Sequence, residues 1–127
     1  MKRYLVIDDD PPCCEVLVAV LAGYGACDAA EDGATAVTMV EQAVRAGTPY
    51  DLLCVEICLT GMNGHDCIQR IRELELPAQP QIFVVSKSSD VDDMSRALLN
   101  NDCDEYILKP FRKDALNGLL TKYKLTD

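Results

Sequence analysis

Short apolar runs and amphipathic stretches alternate along the whole chain. Residues 3–7 (Arg-Tyr-Leu-Val-Ile) read as a strand, and Pro11 and Pro12 then open a helix, since proline is tolerated in a first turn. Cys14, Leu17, Val18 and Leu21 fall at i, i+3, i+4 and i+7, one face of that helix. Gly23 and Gly25 end it. A weak strand at 26–30 follows, and Val37, Val40 and Val44 mark a second helix closed by Gly47 and Pro49. Residues 51–56 are the most apolar strand of the middle, ending in Glu56, and the loop Thr60-Gly-Met-Asn-Gly64 carries two glycines. Cys67, Ile68, Ile71 and Leu74 stripe a third helix, with Pro77 and Pro80 beyond it. Residues 81–86 are a strand. Val91, Met94 and Leu98 stripe a fourth helix that Asp90 or Ser89 caps. Residues 105–108 give a fifth strand, and Leu116, Leu119, Leu120 and Tyr123 a fifth helix.

Strict alternation of this kind predicts a doubly wound α/β fold, (βα)5 and flavodoxin-like. Its five-stranded parallel sheet has helices on both faces, in one domain over residues 1–127. In such sheets ligands bind at the carboxyl ends of the strands, near the point where strand order reverses. The polar residues of interest sit at those ends: Asp8 and Asp9, then Glu56, Ser86 and Lys109. Three neighbouring carboxylates repel one another in a low dielectric and need a lysine, a divalent cation or protonation beside them. Lys109 supplies one positive charge. Mg²⁺ would supply two, with Asp8, Asp9 and Glu56 as hard oxygen ligands and the backbone carbonyl of Cys58 as a further one. A hydroxyl (Ser86) and an ammonium (Lys109) are the groups that bind phosphoryl oxygens. Together the parts suit an acyl-phosphate site.

Composition narrows the partners. The 127 residues carry a formal net charge of −9, which argues against direct nucleic-acid binding, where basic surface supplies the affinity. No apolar stretch reaches the length of a membrane span, and the N-terminus turns acidic too early for a signal peptide, so a cytoplasmic location is expected. Seven cysteines without a CxxC pair, beside the single His65, do not suggest zinc. Cys54 is expected to be a small buried hydrophobe and Cys58 an exposed, oxidisable thiol. His65 is expected at the surface, without a catalytic role.

The double acid Asp8-Asp9, the segment from Asp51 to Gly64, Ser86, Tyr106 and Lys109-Pro110-Phe111 occur in one order and spacing. On these the chain resembles a response-regulator receiver domain (CheY-like) over nearly its whole length. The resemblance implies that Asp8 and Asp9 serve a magnesium site and that Ser86 is a switch hydroxyl. It also implies that Tyr106 is an aromatic swinging inward with Ser86, and that Lys109 contacts the acceptor group ahead of a cis bond to Pro110. Partners are implied on the face made by the fourth helix, fifth strand and fifth helix. They would be a histidine kinase, a downstream effector or a second copy of the chain.

Glu56 stands where that family has its phospho-acceptor aspartate. The extra methylene carries the carboxylate about 1.5 Å further out, and a misplacement of about 1 Å costs on the order of a hundredfold in transfer. The reading that follows is a pseudo-receiver in a two-component system. It is not an enzyme, and it acts by phosphate-independent protein contacts, with Glu56 either imitating a phosphorylated aspartate or inert. The alternatives are a Mg²⁺-dependent phosphorylatable regulator and a small haloacid-dehalogenase-type phosphatase with Asp8 as nucleophile. The phosphatase is disfavoured because a helix begins at Pro11 with no length for a cap domain. Thr60 stands for the loop's usual proline, and Lys87 for a small residue beside Ser86. Lys87 is expected either to cover the acidic site or to be solvated. Asp102 stands for a glycine before the fifth strand and is expected to change only the local turn.

Overall fold

Residues spaced three or four apart close into helices, and the apolar runs between them pair as strands, in the predicted order. The computed structural model describes residues 1–101 and 103–126. Its elements are β1 (Lys2–Ile7), α1 (Pro11–Ala22), β2 (Gly25–Ala30), α2 (Gly33–Arg45), β3 (Leu52–Val55), α3 (Gly64–Arg72), β4 (Gln81–Ser86), α4 (Val91–Ser95), β5 (Glu105–Leu108) and α5 (Lys113–Lys122). A π-helical turn, Arg96–Asn100, continues α4. The five strands form one parallel sheet in the order β2-β1-β3-β4-β5, so the order reverses between β1 and β3. Pro11 and Pro12 occupy the first two positions of α1, as expected, and Gly25, expected to end that helix, already belongs to β2. The turn expected to change at Asp102 lies outside the described residues.

Alternation along the central strands divides the core in two. Leu5, Ile7, Leu53, Val55, Ile82 and Val84 face α2 and α3. Tyr4, Val6, Leu52, Cys54, Phe83 and Val85 face Leu17 and Leu21 of α1 and Leu116 and Leu120 of α5. Side chains of this size each contribute about 1.5–3 kcal/mol on burial. No helix among the described residues is long and apolar enough to cross a membrane.

The fourth helix departs from its pattern. Asp90 caps it as expected, its carboxylate accepting from the N–H groups of Asp92 and Asp93. The expected stripe is not buried, however: Val91 is 74% exposed and Leu98 41%, and the residue against the core is Ala97. Asn101 N–H donates to Arg96 O, five residues back, so one turn holds an extra residue. A stripe spaced for uniform 3.6-residue turns loses its register across such a turn.

In α5, Gly118 has nothing within 4 Å of where a Cβ would stand. Glycine in a helix interior loses more freedom on folding than alanine does, so Gly118→Ala should raise stability by about 0.5–1 kcal/mol. A urea titration would show a higher midpoint at unchanged slope; a lower midpoint would contradict the open position assigned to Gly118.

Candidate functional site

Each strand of a parallel sheet delivers its last residue to the same edge. The residue just beyond is held there by one further ladder bond. Asp8 N–H donates to Ala30 O at 3.1 Å, Glu56 N–H to Ile7 O at 2.9 Å and Lys109 N–H to Ser86 O at 2.9 Å. The ladders therefore place Asp8, Glu56, Ser86 and Lys109 together, as the sequence predicts. Gly64 permits the return of the chain: a Cβ there would stand 2.3 Å from the carbonyl oxygen of Glu56 and 2.6 Å from Ile57 Cα.

Lys109 is the centre of the cluster. Its Nζ lies 2.8 Å from Asp8 Oδ2 and 3.2 Å from Glu56 Oε1, with side-chain exposures of 9%, 1% and 3% for Lys109, Asp8 and Glu56. Burial alone would pull the Lys109 ammonium downward. The hydrogen bond to Asp8 and the charges of Glu56 and Asp8 more than reverse this, so its pKa lies above the ordinary lysine range. Neither carboxylate has an idle oxygen. Asp8 Oδ1 accepts from Asp10 N–H at 2.9 Å, and Glu56 Oε2 from Cys58 N–H at 3.3 Å. An attacking role for Asp8 has no support in this geometry.

Asp9 is directed elsewhere. Its Oδ2 accepts from Thr60 N–H at 3.3 Å and Thr60 Oγ1 at 3.2 Å, bracing the loop at the position where Thr60 stands. Among the described residues no three histidine, cysteine, aspartate or glutamate side chains gather to hold a metal ion. The expected ligand set is thus divided: Asp8 and Glu56 meet on Lys109, Asp9 meets Thr60, and Cys58 offers Glu56 its N–H. As arranged, an ammonium bridges the two buried carboxylates, and a magnesium ion would draw on Asp8 and Asp9 in place of, or beside, their present partners.

Cys58 is exposed and Cys54 buried, as their sequence settings predict. Lys87 is exposed and has no ion-pair partner among the described residues. Together with Asp9, Cys13, Glu56 and Cys58 it lines a cavity of about 350 Å³ at the mouth of the cluster. The Lys109–Pro110 peptide is cis.

Ser86 is fully buried, and its Oγ accepts from Ser88 N–H at 3.1 Å. Tyr106 OH donates to Ser88 O at 2.8 Å, and its ring packs against the core. The surface position expected for His65 is wrong. It is 2% exposed, enclosed by Asp93 of α4 at 3.2 Å and by Asn101 at 2.9 Å. Ser88, Asp93 and Asn101 were invisible to a motif search, since each gains its partner from a different element.

The profile of the response regulator receiver domain matches residues 4–121. The DNA-binding response regulator MtrA of Mycolicibacterium smegmatis is 36% identical over 116 residues, 91% of this chain and 47% of that protein. The chain thus spans about half the length of the curated relatives it matches. The response regulator TrrA of Thermotoga maritima, crystallised in complex with Mg²⁺-BeF, is 30% identical with a TM-score of 0.75, over 97% of this chain and 99% of that one. The receiver domain of the sensor histidine kinase PA1611 from Pseudomonas aeruginosa, with magnesium in its active-site cleft, shares the fold at a TM-score of 0.82. It is 22% identical, over 96% of each chain. With the ladder-held acids, the buried lysine and the parallel sheet of order 2-1-3-4-5, these matches place the chain in the response regulator receiver domain family, as a two-component receiver of CheY-like fold.

Proposed function

We propose that this receiver acts without efficient phosphotransfer, as a protein-contact module rather than an enzyme, with Glu56 at the acceptor position. The observation that carries the reading is the closure of the Glu56 carboxylate between Lys109 Nζ and Cys58 N–H. A carboxylate acting as nucleophile needs an oxygen open to an incoming phosphoryl group, at a distance set for aspartate. Here the longer side chain brings its charge onto the lysine directly. Glu56 then plays the part of a permanent, internal anion at the site. The imitation is partial, because a carboxylate has fewer oxygens and less charge than a phosphate.

The relatives' Mg²⁺ transfers to this chain only on a condition. Asp8 and Asp9 would hold the ion by giving up Lys109 and Thr60. The output would pass through the face of α4, β5 and α5, where Val91 (74% exposed), Leu98 (41%), Leu99 (79%) and Leu108 (42%) present apolar surface. Covering these side chains is what a protein partner on this face would do. A kinase, an effector or a second copy of the chain is the class of partner it fits.

Intact mass after incubation with Mg²⁺ and a small phosphodonor tests the reading. The Glu56→Asp protein should gain one phosphate, and the wild type should gain none or accumulate it at least on the order of a hundredfold more slowly. Comparable rates in the two proteins would make this a working phosphorylation switch and overturn the proposal.

A further inference from the structure

His65 is the only histidine of the chain, and nothing in the function above uses it. It is buried at the second position of α3, one residue from Gly64, where a Cβ would collide with the carbonyl of Glu56. Its Nδ1 accepts from Asn101 Nδ2 at 2.9 Å and its Nε2 faces Asp93 Oδ1 at 3.2 Å. With Nδ1 accepting, the ring is the neutral tautomer and its Nε2–H donates to Asp93. From there the chain of bonds continues. Ser88 Oγ donates to Asp93 Oδ2 at 2.7 Å, Ser88 N–H donates to Ser86 Oγ at 3.1 Å, and Tyr106 OH donates to Ser88 O at 2.8 Å. Five hydrogen bonds thus join Asn101, His65, Asp93 and Ser88 to both Ser86 and Tyr106. The π-helical turn delivers one end of this chain, since Asn101 follows it directly and is buried.

We propose that His65 is a proton-responsive positioning residue that sets the conformation of the Ser88 loop, and through it of Tyr106 and the α4–β5 face. A proton taken from solvent onto Nδ1 would place two donors, Nδ1–H and Asn101 Nδ2, against each other. The Asn101 amide must then turn over to present its oxygen, or part from the ring. On the other side, the imidazolium strengthens its bond to Asp93 Oδ1 by charge assistance and draws that carboxylate toward the ring, away from Ser88 Oγ on Oδ2. That pull on Asp93 loosens the grip on Ser88 that fixes the Tyr106 hydroxyl.

The charged groups around the ring are each already engaged by other partners. Asp93 faces it from α4. Arg96, in the π-helical turn, acts on Asp93 and is tied to Asp66 of α3 at 3.0 Å. Hydrogen bonds from Ser88 and His65 hold the Asp93 carboxyl below the usual carboxylate range. Glu56, at the end of β3, is engaged by Lys109. From β5 the group reached is the Tyr106 phenol, which burial raises above its ordinary range. Histidine is the side chain whose ordinary charge change lies between pH 5 and 8. The inference holds whether or not Glu56 takes phosphate.

The test is a pH titration by NMR, following the single imidazole carbon–proton signal together with the amide signals of Ser88, Asp93, Asn101 and Tyr106. The wild type should show those amides moving with the midpoint of the imidazole. In His65→Gln their movement in that pH range should vanish. In Asp93→Asn the imidazole should still titrate while Ser88 and Tyr106 no longer follow it. The Asp93 side chain is 36% exposed, so this arm remains available if His65→Gln does not fold. Amides that ignore the imidazole midpoint in the wild type overturn the proposal, as do amides that keep titrating with it in Asp93→Asn.

Discussion

Lys109→Met should destabilise the protein by about 3–5 kcal/mol, the range for removing one partner of a buried ion pair and leaving the other charge uncompensated. Two charges are left here, Asp8 and Glu56, each almost fully buried. Repulsion between them returns once the bridging charge has gone. Urea unfolding at neutral pH would read the loss as a lower midpoint. A triple variant, Asp8→Asn/Glu56→Gln/Lys109→Met, should regain the larger part of it, because no buried charge then remains. The pH dependence has a definite sign. The folded-state pKa of Lys109 is raised, so its stabilising contribution is complete below the unfolded lysine value of about 10.4 and fades as pH climbs through the folded value. The gap between wild type and Lys109→Met should therefore stay level through neutral pH and narrow only in strong alkali. A loss below about 1 kcal/mol would mean that the three groups behave as a solvated surface cluster.

Gly64→Ala should cost about 3 kcal/mol, the upper end for inserting one methyl into a packed interior, and lower the melting temperature by on the order of 10 °C. The methyl meets backbone on both sides, Glu56 O at 2.3 Å and Ile57 Cα at 2.6 Å, and backbone in a ladder has no rotamer by which to yield. The displacement falls on Glu56 itself, whose N–H is held by Ile7 O. Its carboxylate should lose register with Lys109, visible as altered amide signals at Cys58 and Lys109. Gly33→Ala is the control. Its Cβ would meet Met62 Sδ at 3.0 Å, the far end of a flexible side chain, with Cys67 Cβ at 3.2 Å. Its cost should stay within about 1 kcal/mol, since methionine adapts to irregular space. Equal costs at the two positions would show that the approach of α3 to β3 is looser than these distances.

The Lys109 variant acts on relations that span the chain. Lys109 lies 101 residues from Asp8 and 53 from Glu56 in sequence. The periodicity of apolar residues decided which segments are strands, which faces they bury and where each strand stops. It therefore decided which polar residues reach the shared edge. That much is local, because a side-chain period of two or of 3.6 is a property of the backbone itself. Asp8, Glu56, Ser86 and Lys109 were legible for this reason.

The fourth helix shows where local reasoning ends. Val91, Met94 and Leu98 keep a helical spacing, yet an extra residue in one turn rotates that spacing away from the core and leaves Ala97 against the sheet. What each polar group bonds to was likewise beyond the pattern. Asp9 has the sequence setting of a metal ligand and spends its carboxylate on Thr60. His65 has the setting of a surface residue and is enclosed by α4 and Asn101. A buried polar group must find a partner, but several partners satisfy the same requirement, and only packing fixes which one is within reach. The sequence by itself thus determined a parallel sheet with acids and a lysine on one edge. The tertiary structure decided that the lysine spans Asp8 as well as Glu56, and that His65 of α3 meets Asp93 of α4 and Asn101.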